Sequence, residues 1–144
     1  MAYFMSRKAS SGGGGGLSYT TLWTNPDPTA EFGRSGGVSV SLSDDIDNYQ
    51  FLEFTFQKTT SNTDKYSILI PVSEFKLSSS GAGAGKVKYA ANVATATYWT
   101  FFRAFWYNSD TEVLIDQCAF YRANSATTYQ NQYVIPYTIK GVTA

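Results

Sequence analysis

The run Tyr98-Trp99-Thr100-Phe101-Phe102-Arg103-Ala104-Phe105-Trp106-Tyr107 constrains the fold of this chain more than any other stretch. Seven of its ten residues are aromatic, a class enriched in strands, and wound as a helix the run would be aromatic on every side. Side chains in a strand alternate between faces. Tyr98, Phe102 and Trp106 then share one face, and Trp99, Phe101, Phe105 and Tyr107 the other. A sheet with one wet face is apolar on one side only, so both faces of this strand are expected to be covered. In a chain of 144 residues, the second cover is expected from another subunit or a bound partner. Trp99, Phe101, Phe105 and Tyr107 are the candidate subunit interface or ligand platform.

Composition narrows the function classes. A chain of this length fits one domain, which buries roughly 70% of the surface its unfolded form exposes. The 11 basic and 11 acidic residues cancel, so the basic footprint of a nucleic-acid binder is missing. Neutrality also protects poorly against self-association, which suits a protein that assembles. There is no histidine, which excludes Ser-His-Asp and Cys-His catalysis and zinc sites built on imidazole. Cys118 is the only cysteine; it can form no intrachain disulfide and is expected as a small buried apolar residue. No apolar stretch approaches the ~20 residues that span a bilayer, and Met1 to Lys8 lacks the apolar core of a signal peptide. The expectation is a protein kept in a cytoplasm or assembled there into something larger, with no membrane partner.

Residues 1–16 differ from the rest. Tyr3, Phe4 and Met5 precede a basic pair and five consecutive glycines, Gly12 to Gly16. Such a run forms neither helix nor strand at reasonable entropic cost. The plain reading of the segment is a disordered tail, and an added tag is a third; the sharper reading is an anchor, Tyr3-Phe4-Met5, that docks on a larger assembly through a flexible tether. Residues 17–144 read as one β-domain. Strands are expected at Leu17–Trp23, Val38–Leu42, Tyr49–Lys58, Lys65–Val72, Lys86–Val93, Thr97–Tyr107, Thr111–Arg122 and Tyr133–Val142, separated by Pro, Gly, Asn and Asp turns. About eight short strands without a convincing helix predict an all-β fold, an antiparallel β-sandwich or jelly-roll-like domain. Its core is expected from Val38, Val40, Leu42, Leu52, Phe54, Phe56, Ile68, Ile70, Ile135 and Ile139, with Tyr133 and Tyr137 on the face of the last two.

The chemistry-bearing residues are sparse. Asp44-Asp45-Ile46-Asp47-Asn48 is the one dense carboxylate cluster; it could take Ca²⁺, but Asp and Asn are also the ordinary turn residues between strands, and the turn reading carries more weight. Gly12–Gly16 and Gly81–Gly85 lack the Lys-Ser ending of a phosphate loop. Trp23, Trp99, Trp106 and Tyr107 could stack on sugars, against a weightier reading as packing residues. Nothing specifies a reaction, so no enzyme, metal or cofactor is expected.

Three segments taken together carry a resemblance: Leu22-Trp23-Thr24-Asn25-Pro26-Asp27-Pro28-Thr29, Tyr49-Gln50-Phe51-Leu52-Glu53-Phe54-Thr55-Phe56, and Tyr133-Val134-Ile135-Pro136-Tyr137-Thr138-Ile139-Lys140-Gly141. The chain resembles a β-rich module of structural proteins of tailed bacteriophages and prophages. The resemblance implies a virion component (head fibre, capsid decoration or tail appendage), commonly trimeric, assembled in the bacterial cytoplasm. It implies capsid or other virion proteins as partners, with a host cell-surface glycan as a further one. With only sixteen residues ahead of the domain, a small decoration or head-fibre protein held by its N-terminal peptide is expected. The alternative is a carbohydrate-binding module or tail receptor-binding domain with an aromatic platform.

Overall fold

Alternating apolar residues become strands wherever a second sheet can cover them. The computed structural model describes residues 16–79, 89–96, 99–121 and 128–144. Among these are β1 (Ser18–Thr24), β2 (Val38–Ser41), β3 (Phe51–Thr59), β4 (Lys65–Pro71), β5 (Tyr89–Ala96), β6 (Trp99–Ser109), β7 (Glu112–Tyr121), β8 (Thr128–Tyr129) and β9 (Tyr133–Thr143). One antiparallel sheet has the order β1-β9-β3-β4; the other runs β2-β7-β6-β5, with the two-residue β8 paired to β7. The chain changes sheets at β1–β2, β2–β3, β4–β5 and between β7 and β9, the crossing pattern of a double-sheet sandwich. The all-β sandwich expected from the sequence is the fold observed. Among the described residues helix is confined to α1 (Val72–Phe75) and a 3₁₀ turn at Ile46–Asn48, and no helix there is long and apolar enough to cross a membrane.

The core lies between the sheets. Leu52, Phe54 and Phe56 of β3 meet Phe105 of β6 and Val113, Ile115 and Cys118 of β7, all at most 1% exposed. Ring centroids of Phe54 and Phe105 are 4.5 Å apart, and those of Phe56 and Phe105 5.5 Å. Phe75 of α1 fills the space beside them, 5.2 Å from Phe54. Burial of this kind is worth roughly 25 cal/mol per Å² of apolar surface.

One expected face is corrected. Ile135 and Ile139 were assigned to one side of the last strand, but the β3–β9 register shifts where Thr55 pairs with Thr138 and Phe56 with Pro136. This bulge at Tyr137 flips the pleat. Ile139 then pairs with the inward Phe54, whereas Ile135 pairs with Gln57. Both isoleucines are buried, but Ile135 is paired with Gln57, whose Nε2 donates to the Pro28 carbonyl at 3.2 Å.

The register defines two ends. At one, Ser18 faces Thr143, Phe51 faces Val142 and Pro71, and Glu112 faces Ser41 and Ser109. This is the end where the chain enters from its N-terminal segment, and we term it proximal. At the distal end, Thr24 faces Thr138 and Thr59 faces Tyr133. It carries the β1–β2 connection (residues 25–37), the β3–β4 turn (60–64) and the β8–β9 turn (130–132). Gly141 is needed near the proximal end because the Tyr49 ring lies against its α-carbon, where any Cβ would collide with Tyr49 Cδ1 and Cγ.

Candidate functional site

The aromatic strand was expected to offer Trp99, Phe101, Phe105 and Tyr107 to a partner. The structure turns Phe101, Phe105 and Tyr107 inward. Phe105 is wholly buried and Phe101 is 5% exposed, stacked on Tyr133 with centroids 3.8 Å apart. Tyr107 is half-buried, edge-on to Phe75, and its hydroxyl donates to Asp110 Oδ1 at 2.8 Å. Phe101 and Phe105 therefore form no platform: a second sheet of the same chain, rather than a second subunit, covers them. The Trp99 side chain and Tyr98 lie outside the described residues, as do the anchor residues Tyr3, Phe4 and Met5. The outward face keeps Phe102, half-buried, in register with Ala119, which in turn pairs with the exposed Tyr129.

Parity along the same strand puts a cation on the core side. Arg103 lies between Phe101 and Phe105 and is 0% exposed. A buried charge is costly unless its donors are satisfied, and here backbone carbonyls rather than a carboxylate satisfy them. Nε donates to Val134 O at 2.6 Å, Nη1 to Asp116 O at 2.8 Å, and Nη2 to Tyr133 O at 3.0 Å and Asn131 O at 3.4 Å. The guanidinium carbon lies 5.5 Å from the centroid of the Phe32 ring. Burial lowers the guanidinium to about 10, opposed by Cys118 and Asp116, so it stays charged at neutral pH.

Arg103 gathers the distal end around itself. Asn131 Oδ1 accepts from Cys118 N at 3.0 Å and its Nδ2 donates to Gln117 Oε1 at 3.3 Å, while the Phe32 amide donates to Asn131 O at 3.1 Å. Gly33, with φ of 136°, closes against the same group; a Cβ there would come within 2.8 Å of Asn131 Oδ1 and 3.2 Å of Arg103 Nη1. Val134 holds φ of 49°, a left-handed conformation that costs a β-branched residue on the order of 1–3 kcal/mol. Asn25, 6% exposed, ties the start of the β1–β2 connection to β9 by donating to Pro136 O at 2.8 Å.

The proximal end is held by different chemistry. Lys76 Nζ contacts Asp47 Oδ1 at 2.8 Å and Asp110 Oδ1 at 3.1 Å. Asp45, Asp47 and Asp110 together form a cluster of carboxylates whose oxygens lie within 4.8 Å of one another. The structure gives each a local task. Asp45 caps the 3₁₀ turn by accepting from Asp47 N at 2.8 Å. Asp44 accepts from Tyr49 Oη at 2.9 Å and Asn48 Nδ2 at 3.0 Å. The Tyr107 hydroxyl and Lys76 hold the Asp110 carboxyl below its usual range, and Asp47 and Asp110 raise the Lys76 ammonium. An ammonium stands where a cation would bind, and the cluster is a set of turn and loop ties.

Cys118 is fully buried in β7, as its sequence position implied, and burial pushes its thiol up to about 11. The Tyr66 hydroxyl, buried at the same end of the core, has no hydrogen-bond partner among the described residues. Burial raises its phenol well above the ordinary value. Sequence reasoning missed Arg103 because it read the aromatic strand for rings alone; a basic residue at core parity was the available signal. Comparison of the chain with models of known protein families and with curated proteins finds no match.

Proposed function

We propose that the chain is a non-enzymatic structural component of a bacteriophage-type virion, a head fibre or capsid decoration protein displayed on the particle. Residues 1–16 attach it, with Tyr3, Phe4 and Met5 docking on capsid or other virion proteins, and the sandwich is the displayed head, assembled as a homotrimer. The observation that carries this reading is the polarity of the sandwich. The chain enters at Ser18 on the proximal end, and the loops gathered by Arg103 crown the opposite end. A tethered domain then presents its distal loops outward. The use of Arg103, Lys76 and the aspartates as ties between loops fits a scaffold role. A peptide that orders only on docking incurs its entropy cost at that moment, and several copies in an oligomer offset it through avidity.

The test is deletion of residues 1–16. The truncated protein should remain folded and oligomeric by circular dichroism and analytical ultracentrifugation, and should be lost from purified particles. Full occupancy on particles without the segment would overturn the attachment reading. A stable monomer at micromolar concentration would overturn the trimer.

A second reading, a glycan-binding or receptor-binding domain, is favoured by one observation. Phe102 and the exposed Tyr129 flank the small Ala119 on the outward face of the second sheet. Rings spaced across a small residue suit the apolar face of a sugar. Binding on a glycan array that is abolished by Tyr129→Ala would support it; an array with no binding would remove it.

A further inference from the structure

We infer that Arg103 is a latch that holds the β1–β2 connection and the β8–β9 turn closed on the distal end as one unit, releasable while the two sheets stay intact. Three observations lead there. First, all four acceptors lie on irregular backbone or at a strand start. Asp116 is among the β7 residues passed over where the β6–β7 register shifts between Arg103 and Phe105. Asn131 is in the turn, and Tyr133 and Val134 open β9. None belongs to the paired interior of the sheet formed by β1, β9, β3 and β4.

Second, the two loops meet each other at this group and its immediate neighbours. Phe32 covers the guanidinium, its amide bonds to Asn131 O, and Gly33 packs on both Asn131 and Arg103. Segments about a hundred residues apart in sequence therefore share one point of closure. Third, the closed arrangement is strained. Val134 keeps its left-handed φ at the residue whose carbonyl takes the shortest of the four guanidinium bonds, 2.6 Å. Strain of this kind persists only where surrounding contacts over-determine it. A single fork of donors serving four carbonyls is a function that lysine cannot reproduce.

The rings that would survive release belong to the same buried cluster as Val134, with Phe32 and Tyr133 packed against it, but they have partners of their own. Phe54, Phe56, Phe75 and Phe105 pack among themselves, and the proximal end is closed by Lys76. Opening is thus a local event of the type seen in cooperative subunits of a native structure.

Hydrogen–deuterium exchange of the full chain, read by mass spectrometry, tests the latch. Arg103→Lys should raise exchange by about tenfold or more, the response to losing charge-assisted bonds, in peptides covering 28–37 and 129–135 together. Peptides covering 51–71 should keep wild-type protection. Gly33→Ala, which sets a methyl 2.8 Å from Asn131 Oδ1 and 3.2 Å from Arg103 Nη1 at a φ of 136° that alanine rarely adopts, should raise exchange in the same two segments. Uniform loss of protection in Arg103→Lys, together with a Gly33→Ala response confined to 28–37, would show two independent loops on an ordinary core residue and overturn the proposal. If Arg103→Lys fails to fold, Gly33→Ala alone decides: a response in both segments supports the latch, and a response in one refutes it.

Discussion

Replacing Phe105 by alanine distinguishes a core residue from an interface residue on the same strand. Its ring is wholly buried and has four aromatic neighbours: Phe54 at 4.5 Å, Phe56 at 5.5 Å, Tyr89 at 6.0 Å and Phe75 at 6.4 Å. Phe→Ala changes in cores cost about 3–5 kcal/mol, and each well-placed ring pair adds about 0.5–1.5 kcal/mol beyond area burial. With neighbours from both sheets and from α1, the site cannot collapse without moving three elements, so the upper part of that range applies, about 4–5 kcal/mol. Urea unfolding followed by tryptophan fluorescence measures it, with a slope of about 1–3 kcal/mol per molar serving as the check on two-state behaviour. The loss should be the same at low and high protein concentration, because the contacts lie within one chain. A loss under about 2 kcal/mol, or one that shrinks as concentration rises, would show that this face is completed by another subunit and refute the argument.

Acid should weaken the carboxylate ties of the proximal end. Hydrogen bonds and Lys76 depress Asp110, and Tyr49 and the Asp45 amide depress Asp44; a depressed carboxylate contributes stability above its unfolded value, near 3.9, and loses it as pH falls through the lower folded value. Urea midpoints should hold from pH 7 to about pH 5 and drop below about pH 4, and Asp110→Asn should flatten that drop. Gly141→Ala, by forcing a methyl into the Tyr49 ring, should cost about 1–3 kcal/mol as overpacking does, read from the same midpoints. Tyr66→Phe deletes a buried hydroxyl without a hydrogen-bond partner among the described residues and should raise stability by about 1 kcal/mol. A thiol reagent should leave native Cys118 unmodified at pH 7.5, since the thiol is buried and held protonated, and label it fully in urea.

Most of the fold was legible because burial imposes the strand period on the sequence. Val38-Ser39-Val40-Ser41 alternates since Val40 is buried and Ser39 and Ser41 face water. The residues Leu52, Phe54, Phe56 and Ile70 were readable as core for the same reason. What periodicity could not show was where the period breaks. The bulge at Tyr137 separates Ile135 from Ile139; the local signal was Pro136, since a strand paired on both sides tolerates proline at a bulge, and periodicity alone passes over it. The two-residue β8 exists only through its pairing with β7, so its Ser/Thr/Gln-rich surroundings read as loop. The aromatic strand misled for a related reason. Rings on both faces imply two covers, but the sequence cannot say that one cover is the chain's own second sheet.

Arg103 also explains features that separately look like loop idiosyncrasies. A guanidinium among aromatic rings would be prohibitive without acceptors, and a neutral, lightly charged chain has few carboxylates available to place beside it. Carbonyl dipoles substitute for them, but only backbone that leaves regular pairing can aim several carbonyls at one point. That requirement accounts for the register shift in β7 at Asp116, the left-handed Val134 and the bent β8–β9 turn. It also accounts for a glycine at position 33, where the β1–β2 connection must come close to the charge. The proximal ties are exposed ion pairs, which salt and acid weaken. The distal ties are buried bonds from a group that stays protonated until about pH 10. The two ends of one sandwich therefore differ in what can loosen them: salt and acid act on the proximal ion pairs, and the Arg103 bonds at the distal end respond to neither in that range.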